Sequence, residues 1–257
     1  MKALILAAGY ATRLYPLTKD TPKPLLQIKH RPVLDYIVDK IERVGDINQV
    51  YLATNDKFHN QFEDWLAGRS KELRCRYKLV NDGSTSVDDR KGAIGDIKLI
   101  LEQEQVNDDL LVVAGDNLFD FDLASFVAFA SSKRPAHSIC LYLPHDENTD
   151  LTQYGIAHLR EDGLITDFEE KPHFPKSNLV STCVYFIPRE KVSRVLNYAA
   201  LGNSMDAPGN YISWLIKHDQ VYGKIFDGLW FDLGDFDSLS RAVMSINGHV
   251  HQERKHV

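Results

Sequence analysis

Short apolar runs alternate with amphipathic stretches over the first 115 residues of the chain. The mostly apolar runs, which predict strands covered on both faces, lie at 3–7, 50–54, 77–80 and 110–114. The stretches in which apolar residues recur every three or four positions, as in helices with one buried face, lie at 33–44, 58–66 and 94–104. This alternation predicts an α/β fold with a doubly wound, Rossmann-like mixed sheet.

The second half of the chain has strands that lie closer together and are less often separated by helices. We predict these strands at about 138–143, 155–159, 164–170 and 180–187. Further helices are predicted at about 189–198, 209–217 and 238–247. Asp235 or Asp237 is expected to cap the last of these helices. The pattern indicates a smaller mixed-sheet lobe beside the parallel core.

These patterns predict a single domain over residues 1–248, with a parallel half at about 1–135 and a mixed-sheet half at about 136–240. Residues 249–257 form a tail in which three histidines lie among charged residues. A metal-binding tail is one interpretation, and a frayed chain end is the favoured one.

Composition and charge narrow the classes of function. The 257 residues are 44% hydrophobic, enough for a full core, and 30 basic against 36 acidic residues argue against a nucleic-acid partner. The cysteines are odd in number and lack C-x-x-C spacing, which argues against a disulfide framework or a zinc site. Because no apolar run approaches the length of a membrane span and the N-terminus is too short and too quickly polar for a signal peptide, we expect no membrane partner and a cytoplasmic location.

The segment after the first predicted strand has the character of a phosphate site. The small-residue turn that ends this strand consists of Leu6, Ala7, Ala8 and Gly9. Such a turn lets backbone N–H groups approach an anion, while Arg13 offers a bidentate fork and Lys23 a point charge. A plain strand-to-loop connection with two solvated cations is the alternative. Three prolines at 16, 22 and 24 favour a long ordered loop, and such loops are usually functional.

Two aspartates follow predicted apolar strands and lie beside glycines. Asp116 belongs to G-D-N and Asp232 to W-F-D-L-G. Ligands of open α/β sheets bind at the carboxyl ends of strands, so these carboxylates are either turn caps or ligands for a hard cation. Magnesium needs only one or two carboxylates when phosphate oxygens and water complete its shell.

A third polar element, Glu169-Glu170-Lys171-Pro172, ends the strand predicted at 164–170. One interpretation is a charged strand end stopped by proline. The other is a sugar-phosphate site, in which Lys171 is a point charge for the phosphate and Glu170 accepts hydrogen bonds from sugar hydroxyls.

These elements resemble, in order and over nearly the whole chain, the motifs of the sugar-1-phosphate nucleotidyltransferases. The family pattern G-x-G-T-R-L-x-P-L-T followed by P-K appears as G-Y-A-T-R-L-Y-P-L-T-K-D-T-P-K, with Ala11 where the family has a second glycine. The resemblance implies a nucleotide-diphospho-sugar transferase fold, with a nucleotide-binding first half and a sugar-binding second lobe. It also implies that Arg13 and Lys23 bind the triphosphate, that Asp116 and Asp232 hold Mg²⁺, and that Lys171 holds the sugar phosphate as the third catalytic cation.

The resemblance implies two sets of binding residues. The nucleotide set is Leu6, Ala7, Ala8, Gly9, Arg13, Lys23, Asn81, Gly92 and Asp116. The sugar-phosphate set is Asn117, Tyr154, Gly155, Glu170, Lys171 and Tyr185. Cys183 stands where the family commonly has glycine.

In the family, a polar side chain after one strand and a glycine backbone near the next helix read the base. These positions are Asn81 and Gly92 here, and the connection between them is longer than usual. An amide presents both a donor and an acceptor to uracil or thymine, which favours UTP or dTTP. CTP stays open, because the amide can flip and Asp82 lies next to it. Asp88, Asp89 and Arg90 in this connection form either a solvated turn, which we favour, or part of a lid.

The expected activity is Mg²⁺-dependent transfer of a nucleotidyl group from a nucleoside triphosphate to a sugar 1-phosphate, with release of pyrophosphate. The sugar phosphate attacks directly, so no protein nucleophile is required. One alternative is a cytidylyltransferase acting on another phosphorylated alcohol such as phosphocholine. The other is a non-catalytic regulatory subunit that senses sugar nucleotides. A homo-oligomer is left open.

Overall fold

The computed structural model describes residues 1–146 and 149–253, in which helices cover both faces of a central nine-stranded mixed sheet. The strands are β1 Lys2–Leu6, β2 Gln27–Ile28, β3 Arg31–Pro32, β4 Gln49–Thr54, β5 Tyr77–Asn81, β6 Leu110–Ala114, β7 Asn117–Phe119, β8 His137–Tyr142, β9 Gly155–Leu159, β10 Ile165–Glu170, β11 Leu179–Ile187, β12 Val221–Phe226 and β13 Trp230–Asp232. The α-helices are α1 Val33–Glu42, α2 His59–Ala67, α3 Lys71–Arg76, α4 Ala93–Gln103, α5 Leu123–Ser132, α6 Ser193–Ala200, α7 Pro208–Leu215 and α8 Phe236–Glu253.

The sheet is parallel in its first half and mixed in its second. Strands β5, β4, β1 and β6 are neighbours in that order and run parallel, with β1 between β4 and β6. Strand β11 then pairs antiparallel with β6, and it carries β9 and β10 in one direction and β8 and β12 in the other. The predicted doubly wound mixed sheet is therefore confirmed, and the strands of the second half continue the same sheet.

Successive side chains of β1 point to opposite faces of the sheet, and the interior accordingly consists of two hydrophobic cores. Ile5 packs with Phe126 on one face of the sheet, whereas Leu4 packs with Ile97 and Tyr211 on the other. All of these side chains are buried. Full burial of a leucine or isoleucine side chain stabilises a fold by about 1.5–3 kcal/mol. Packing on both faces of the sheet therefore fixes the position of β1 between its neighbours.

Most predicted elements occur within a few residues of their expected bounds, and Asp235 caps α8 by accepting a hydrogen bond from the N–H of Ser238 at 2.7 Å. Helix α8 extends to Glu253, past the predicted end at 247, and residues 254–257 of the predicted tail lie outside the described part of the chain. The pattern missed α3, α5 and β12, as well as the short strands β2, β3 and β7. Helix α5 is apolar on most sides, which conceals its helical period. In β12, Gly223 interrupts the run of strand-forming side chains, because Leu141 packs where a side chain at this position would lie.

Candidate active site

The turn after β1 is fixed by hydrogen bonds from neighbouring strands. The N–H of Ala7 donates to the Ala53 carbonyl at 3.0 Å, and the buried Asn55 amide donates to the Ala8 carbonyl at 2.9 Å. Ala11 has a φ of 47°, in the left-handed region where glycine is favoured, and its carbonyl accepts from Thr18 at 2.7 Å. The alanine therefore adopts the conformation that the family's glycine would provide without strain.

Lys23 lies between the two strand-end aspartates. Its side chain is 6% exposed, and its ammonium is 2.7 Å from Asp116 Oδ2 and 3.4 Å from Asp232 Oδ1. Burial would lower the pKa of Lys23, but the two carboxylates outweigh it and the pKa is raised. Burial raises the pKa of Asp232 against the opposing charge of Lys23. One cation and two carboxylates thus share a recessed position at the carboxyl ends of the strands.

Strand pairing explains how aspartates so far apart in sequence meet. In the small sheet of β7 and β13, Asn117 pairs directly with Asp232, so Asp116 is adjacent to Asp232 in space. The N–H of Leu233 also donates to the Asp116 carbonyl. Arg13 completes the group, since its guanidinium lies 3.1 Å from the position that a Cβ on Gly234 would occupy.

A cleft of about 440 Å³ opens beside this group, a volume typical of small-molecule sites. Its walls include the predicted residues Leu6, Ala8, Gly9, Arg13, Gly92 and Asp116. A smaller cavity of about 130 Å³ adjoins it and is lined by Ala7 and Lys23 as well as Arg13 and Asp116. The structure thus brings together the predicted nucleotide residues, with one exception.

That exception is Asn81, which is not among the residues that line the cleft. Its amide donates to Asp56 at 2.7 Å and accepts from the N–H of Gly83 at 2.8 Å. Successive side chains of a strand point to opposite faces, and it is the next residue, Asp82, that lines the cleft. Asp96, in the first turn of α4, lies beside it. Sequence reasoning noted Asp82 only as a neighbour and missed Asp96.

Gly92 begins α4 with a φ of 76°, and a Cβ there would lie 2.5 Å from the Cα of Asp206. Glycine is therefore required both for the turn and for the close approach of the chain before α7. Arg90 forms a bidentate pair with Asp206, with both N···O distances at 2.9 Å, and both residues line the cleft. Asp89 accepts hydrogen bonds from the N–H groups of Thr85 and Ser86. The long connection between Asn81 and Gly92 is thus an ordered turn, and the Arg90–Asp206 pair links it to the segment before α7.

The predicted sugar residues at β9 and β10 meet because Glu170 pairs with Gly155 across these strands. The Glu170 side chain lies against α7, where a Cβ on Gly209 would be 1.8 Å from its Oε2. Burial raises the pKa of Glu170, while Lys171 opposes the shift. Lys171 is exposed with a φ of 48°, and its N–H donates to the Tyr154 carbonyl at 3.0 Å.

The remaining predicted sugar residues have structural contacts. Asn117 is 3% exposed and donates to the Thr182 carbonyl at 2.6 Å, and Tyr185 is buried in the core that contains Leu4. Their roles toward a sugar stay predictions. Cys183 lines the cleft with a φ of 56°, at a register shift in β11, which is the conformation that the family's glycine would favour.

The two aspartates are compatible with magnesium. Among the described side chains, those of residues 1–146 and 149–244, no group of three or more histidines, cysteines, aspartates or glutamates could hold a metal. Mg²⁺ does not need such a group, because one or two carboxylates suffice when a polyphosphate supplies further oxygens. Asp116 and Asp232 keep about a third of their side-chain surface exposed. Asp116 lines the cleft, whereas Asp232 lines a neighbouring cavity of about 140 Å³, so a shared cation would lie between the two.

Comparisons with known proteins identify a family for this chain. A family model described as nucleotidyl transferase matches residues 2–248. A UTP–glucose-1-phosphate uridylyltransferase of Synechocystis sp. is 29% identical over 96% of this chain and 63% of its own length. A D-glycero-alpha-D-manno-heptose 1-phosphate guanylyltransferase of Campylobacter jejuni is 28% identical over 91% of this chain and 95% of its own length.

The fold is similar to that of a Bacillus anthracis protein assigned as a glucose-1-phosphate thymidylyltransferase and crystallised with sucrose. The TM-score is 0.81 at 25% identity, covering 95% of this chain and 94% of that one. This chain spans only 51–63% of the length of several curated relatives that it matches. None of the helices in the described residues is long and apolar enough to cross a membrane. The chain belongs to the nucleotidyl transferase family.

Proposed function

We propose that the protein transfers a nucleotidyl group from a nucleoside triphosphate to a sugar 1-phosphate and releases pyrophosphate. The observation that carries the proposal is the buried Lys23 ammonium held between Asp116 and Asp232, next to a small-residue turn and a cleft of about 440 Å³. The names of the relatives in Synechocystis and Campylobacter, which both act on a sugar 1-phosphate, support this substrate class.

In this reaction a phosphate oxygen of the sugar 1-phosphate forms a bond to the α-phosphorus, and the bond from that phosphorus to the pyrophosphate oxygen breaks. Arg13, which lines the cleft, binds the triphosphate, and the exposed Lys171 binds the attacking phosphate. Catalysis then consists of alignment and charge neutralisation, which is sufficient for phosphoryl-type transfers. Glu170, held at the pairing of β9 and β10, accepts hydrogen bonds from sugar hydroxyls.

Asp116 and Asp232 are the residues that would hold Mg²⁺, which when bound neutralises charge on the phosphate oxygens. Lys23 is then the cation that keeps the two carboxylates together in the free protein. Because its ammonium is buried, it stays in place when the triphosphate enters, and it adds a fixed positive charge beside the polyphosphate.

The base of the nucleoside triphosphate is the next question within this proposal. UTP or dTTP was expected from Asn81, whose amide is instead bound to Asp56 and Gly83. The named relatives include uridylyl, thymidylyl and guanylyl transferases, so their names favour no single base.

The phosphocholine alternative would need an aromatic cage for an ammonium group. Tyr142, Tyr154 and Trp230 do line a cavity of about 140 Å³, but Asp146, Asp232 and Arg241 line it as well, so charged side chains of both signs interrupt the aromatic wall. A purely regulatory role is disfavoured because the phosphate cations and the paired carboxylates are all retained.

The test is a matrix of nucleoside triphosphates against sugar 1-phosphates, scored by pyrophosphate release with Mg²⁺ and with EDTA. We expect turnover only with the metal, and we expect Asp232→Asn to lower it by at least about 10²-fold, as loss of an electrostatic stabiliser commonly does. Asp237→Asn, an exposed aspartate five residues further on, is the matched control. Full activity of Asp232→Asn with an unchanged circular dichroism spectrum would refute the metal assignment.

A further inference from the structure

Two buried carboxyl groups lie side by side in the wall of the larger cleft. Asp82 directly follows β5 and Asp96 is in the first turn of α4, and each is 5% exposed. Both line the cleft, and they lie close enough for the charge of Asp82 to raise the pKa of Asp96. Two carboxylates in contact away from water cannot both be ionised without a large electrostatic cost, so the pair holds a proton.

The hydrogen bonds around the pair show which residue carries that proton. Both oxygens of Asp82 accept from Ser84, Oδ1 from the N–H at 2.7 Å and the hydroxyl at 2.8 Å, and Oδ2 from the hydroxyl at 2.9 Å. The Tyr10 hydroxyl in turn donates to Ser84. Asp82 is therefore the charged acceptor, and Asp96 is the neutral acid that donates to it. Burial and the charge of Asp82 raise the pKa of Asp96 to about 8, against the opposing charge of Lys91.

With its O–H directed to Asp82, Asp96 has one acceptor left over. Its Oδ1 is buried and has no hydrogen-bond partner within the described part of the chain. Buried polar atoms without a partner are rare in folded proteins because each costs free energy. Since Asp96 lines the cleft, a bound ligand is the available source of a donor.

Two neighbouring polar side chains of this wall already have partners. Arg90 donates to Asp206 and to the Val87 carbonyl, and Tyr10 donates to Ser84. The wall therefore presents acceptors and one negative charge to whatever occupies it.

We propose that the Asp82–Asp96 pair reads the base of the bound nucleotide and selects one that carries an amino group. The inference rests on the proposed function, which places a nucleoside triphosphate in this cleft. Cytosine, adenine and guanine each offer an amino N–H to the Asp96 carboxyl group, which lines the cleft. Uracil and thymine offer only a ring N–H, which is flanked by two carbonyl oxygens, and pairing it with Asp96 would bring one of these oxygens against the charged Asp82 carboxylate. Asp82 and Asp96 thus take the base-reading role expected of Asn81.

Binding, rather than turnover, tests this inference independently of the sugar substrate. Isothermal titration of the wild-type protein with CTP, GTP, ATP, UTP and dTTP in the presence of Mg²⁺ should give one amino-bearing triphosphate an affinity at least about tenfold above UTP and dTTP. Among CTP, GTP and ATP, the triphosphate that binds most tightly identifies the preferred base. Tightest binding of UTP or dTTP would overturn the proposal. Inorganic tripolyphosphate, which has no base, reports on the phosphate site alone, so failure of the proposed function would appear as loss of its binding.

Variants of Asp96 then separate a reading role from a structural one. In Asp96→Asn the amide N–H replaces the shared proton and the oxygen is kept, so the preference should stay within about threefold of wild type. Asp96→Ala and Asp96→Leu lack the acceptor, and in either the preference should fall at least about tenfold with tripolyphosphate binding unchanged. Glu102→Gln, an exposed acid on the same helix, is the control. If Asp96→Ala or Asp96→Leu folds and its base preference is unchanged, the proposal is overturned. If neither variant folds, the titrations of the wild-type protein with the five triphosphates decide the question.

Discussion

Replacing Asp96 with asparagine should change how the stability of the protein depends on pH. The ordinary pKa of an aspartate, 3.8, applies in the unfolded chain, whereas burial and Asp82 raise the pKa of folded Asp96 to about 8. The folded state therefore holds a proton that the unfolded state releases above about pH 4. The stabilising contribution is complete below the unfolded pKa and is lost as pH rises toward the folded pKa.

The size of the effect follows from this pKa difference. Each unit between the two states corresponds to about 1.36 kcal/mol, so between pH 5 and pH 8 the folded protein loses about 3–4 kcal/mol through Asp96. No discount for solvent screening is needed, because the residue is 5% exposed. An asparagine does not titrate, so the variant should lack this loss. Relative to wild type, Asp96→Asn should gain about 3–4 kcal/mol of unfolding free energy over this range.

Urea unfolding followed by circular dichroism at pH 5, 6, 7 and 8 measures this difference. The comparison between variant and wild type cancels the titration of every other group, and equal urea dependence in both proteins shows that they unfold alike. Glu102→Gln should run parallel to wild type. Parallel curves for Asp96→Asn and wild type, with a free-energy difference constant to about 1 kcal/mol, would refute the assignment of the proton to Asp96.

Two further predictions concern the sugar side of the cleft. Gly209→Ala should displace Glu170, whose Oε2 is 1.8 Å from the added methyl group, and so raise KM for the sugar 1-phosphate with little effect on triphosphate affinity. Gly45→Ala, which meets nothing within 4 Å, is its control, and unchanged kinetics in both would contradict the role of Glu170. Lys171→Ala should raise KM for the sugar 1-phosphate at least about tenfold, while Arg13→Ala should weaken triphosphate binding. Loss of triphosphate binding in Lys171→Ala, measured by isothermal titration, would show that the two roles are misassigned.

The sequence predicted the fold class, and it predicted that Arg13 and Lys23 follow the first strand into one site, because both depend on local patterns. Apolar runs indicate strands wherever they occur, and Arg13 and Lys23 follow the first strand directly. The convergence of Asp116 and Asp232 was beyond sequence reasoning, because it depends on the register of β7 against β13. The resemblance to a family supplied that link, and the pairing of Asn117 with Asp232 explains it physically.

The base-reading wall was predicted less well, for a different reason. A shift of one residue along a strand reverses the direction of a side chain, so Asn81 and Asp82 exchange roles with no change in the surrounding pattern. Asp96 resembles an ordinary acidic residue in the first turn of a helix, where a negative charge is favourable anyway. Only the packing of α4 beside the end of β5 makes it a buried partner of Asp82.

This contrast has a physical origin in what each part of the site must recognise. Binding of phosphate and metal requires charged groups at the ends of strands, and charged residues at these positions can be recognised in the sequence. Base and sugar recognition needs neutral donors and acceptors whose direction matters more than their identity. In this protein the direction is set by residues 206–209, just before and at the start of α7, where Asp206 holds Arg90 and the start of α4, and Gly209 admits Glu170. Because one short segment packs against both walls, the choice of base and the choice of sugar depend on the same few backbone positions, and motifs that identify the reaction do not identify its substrates.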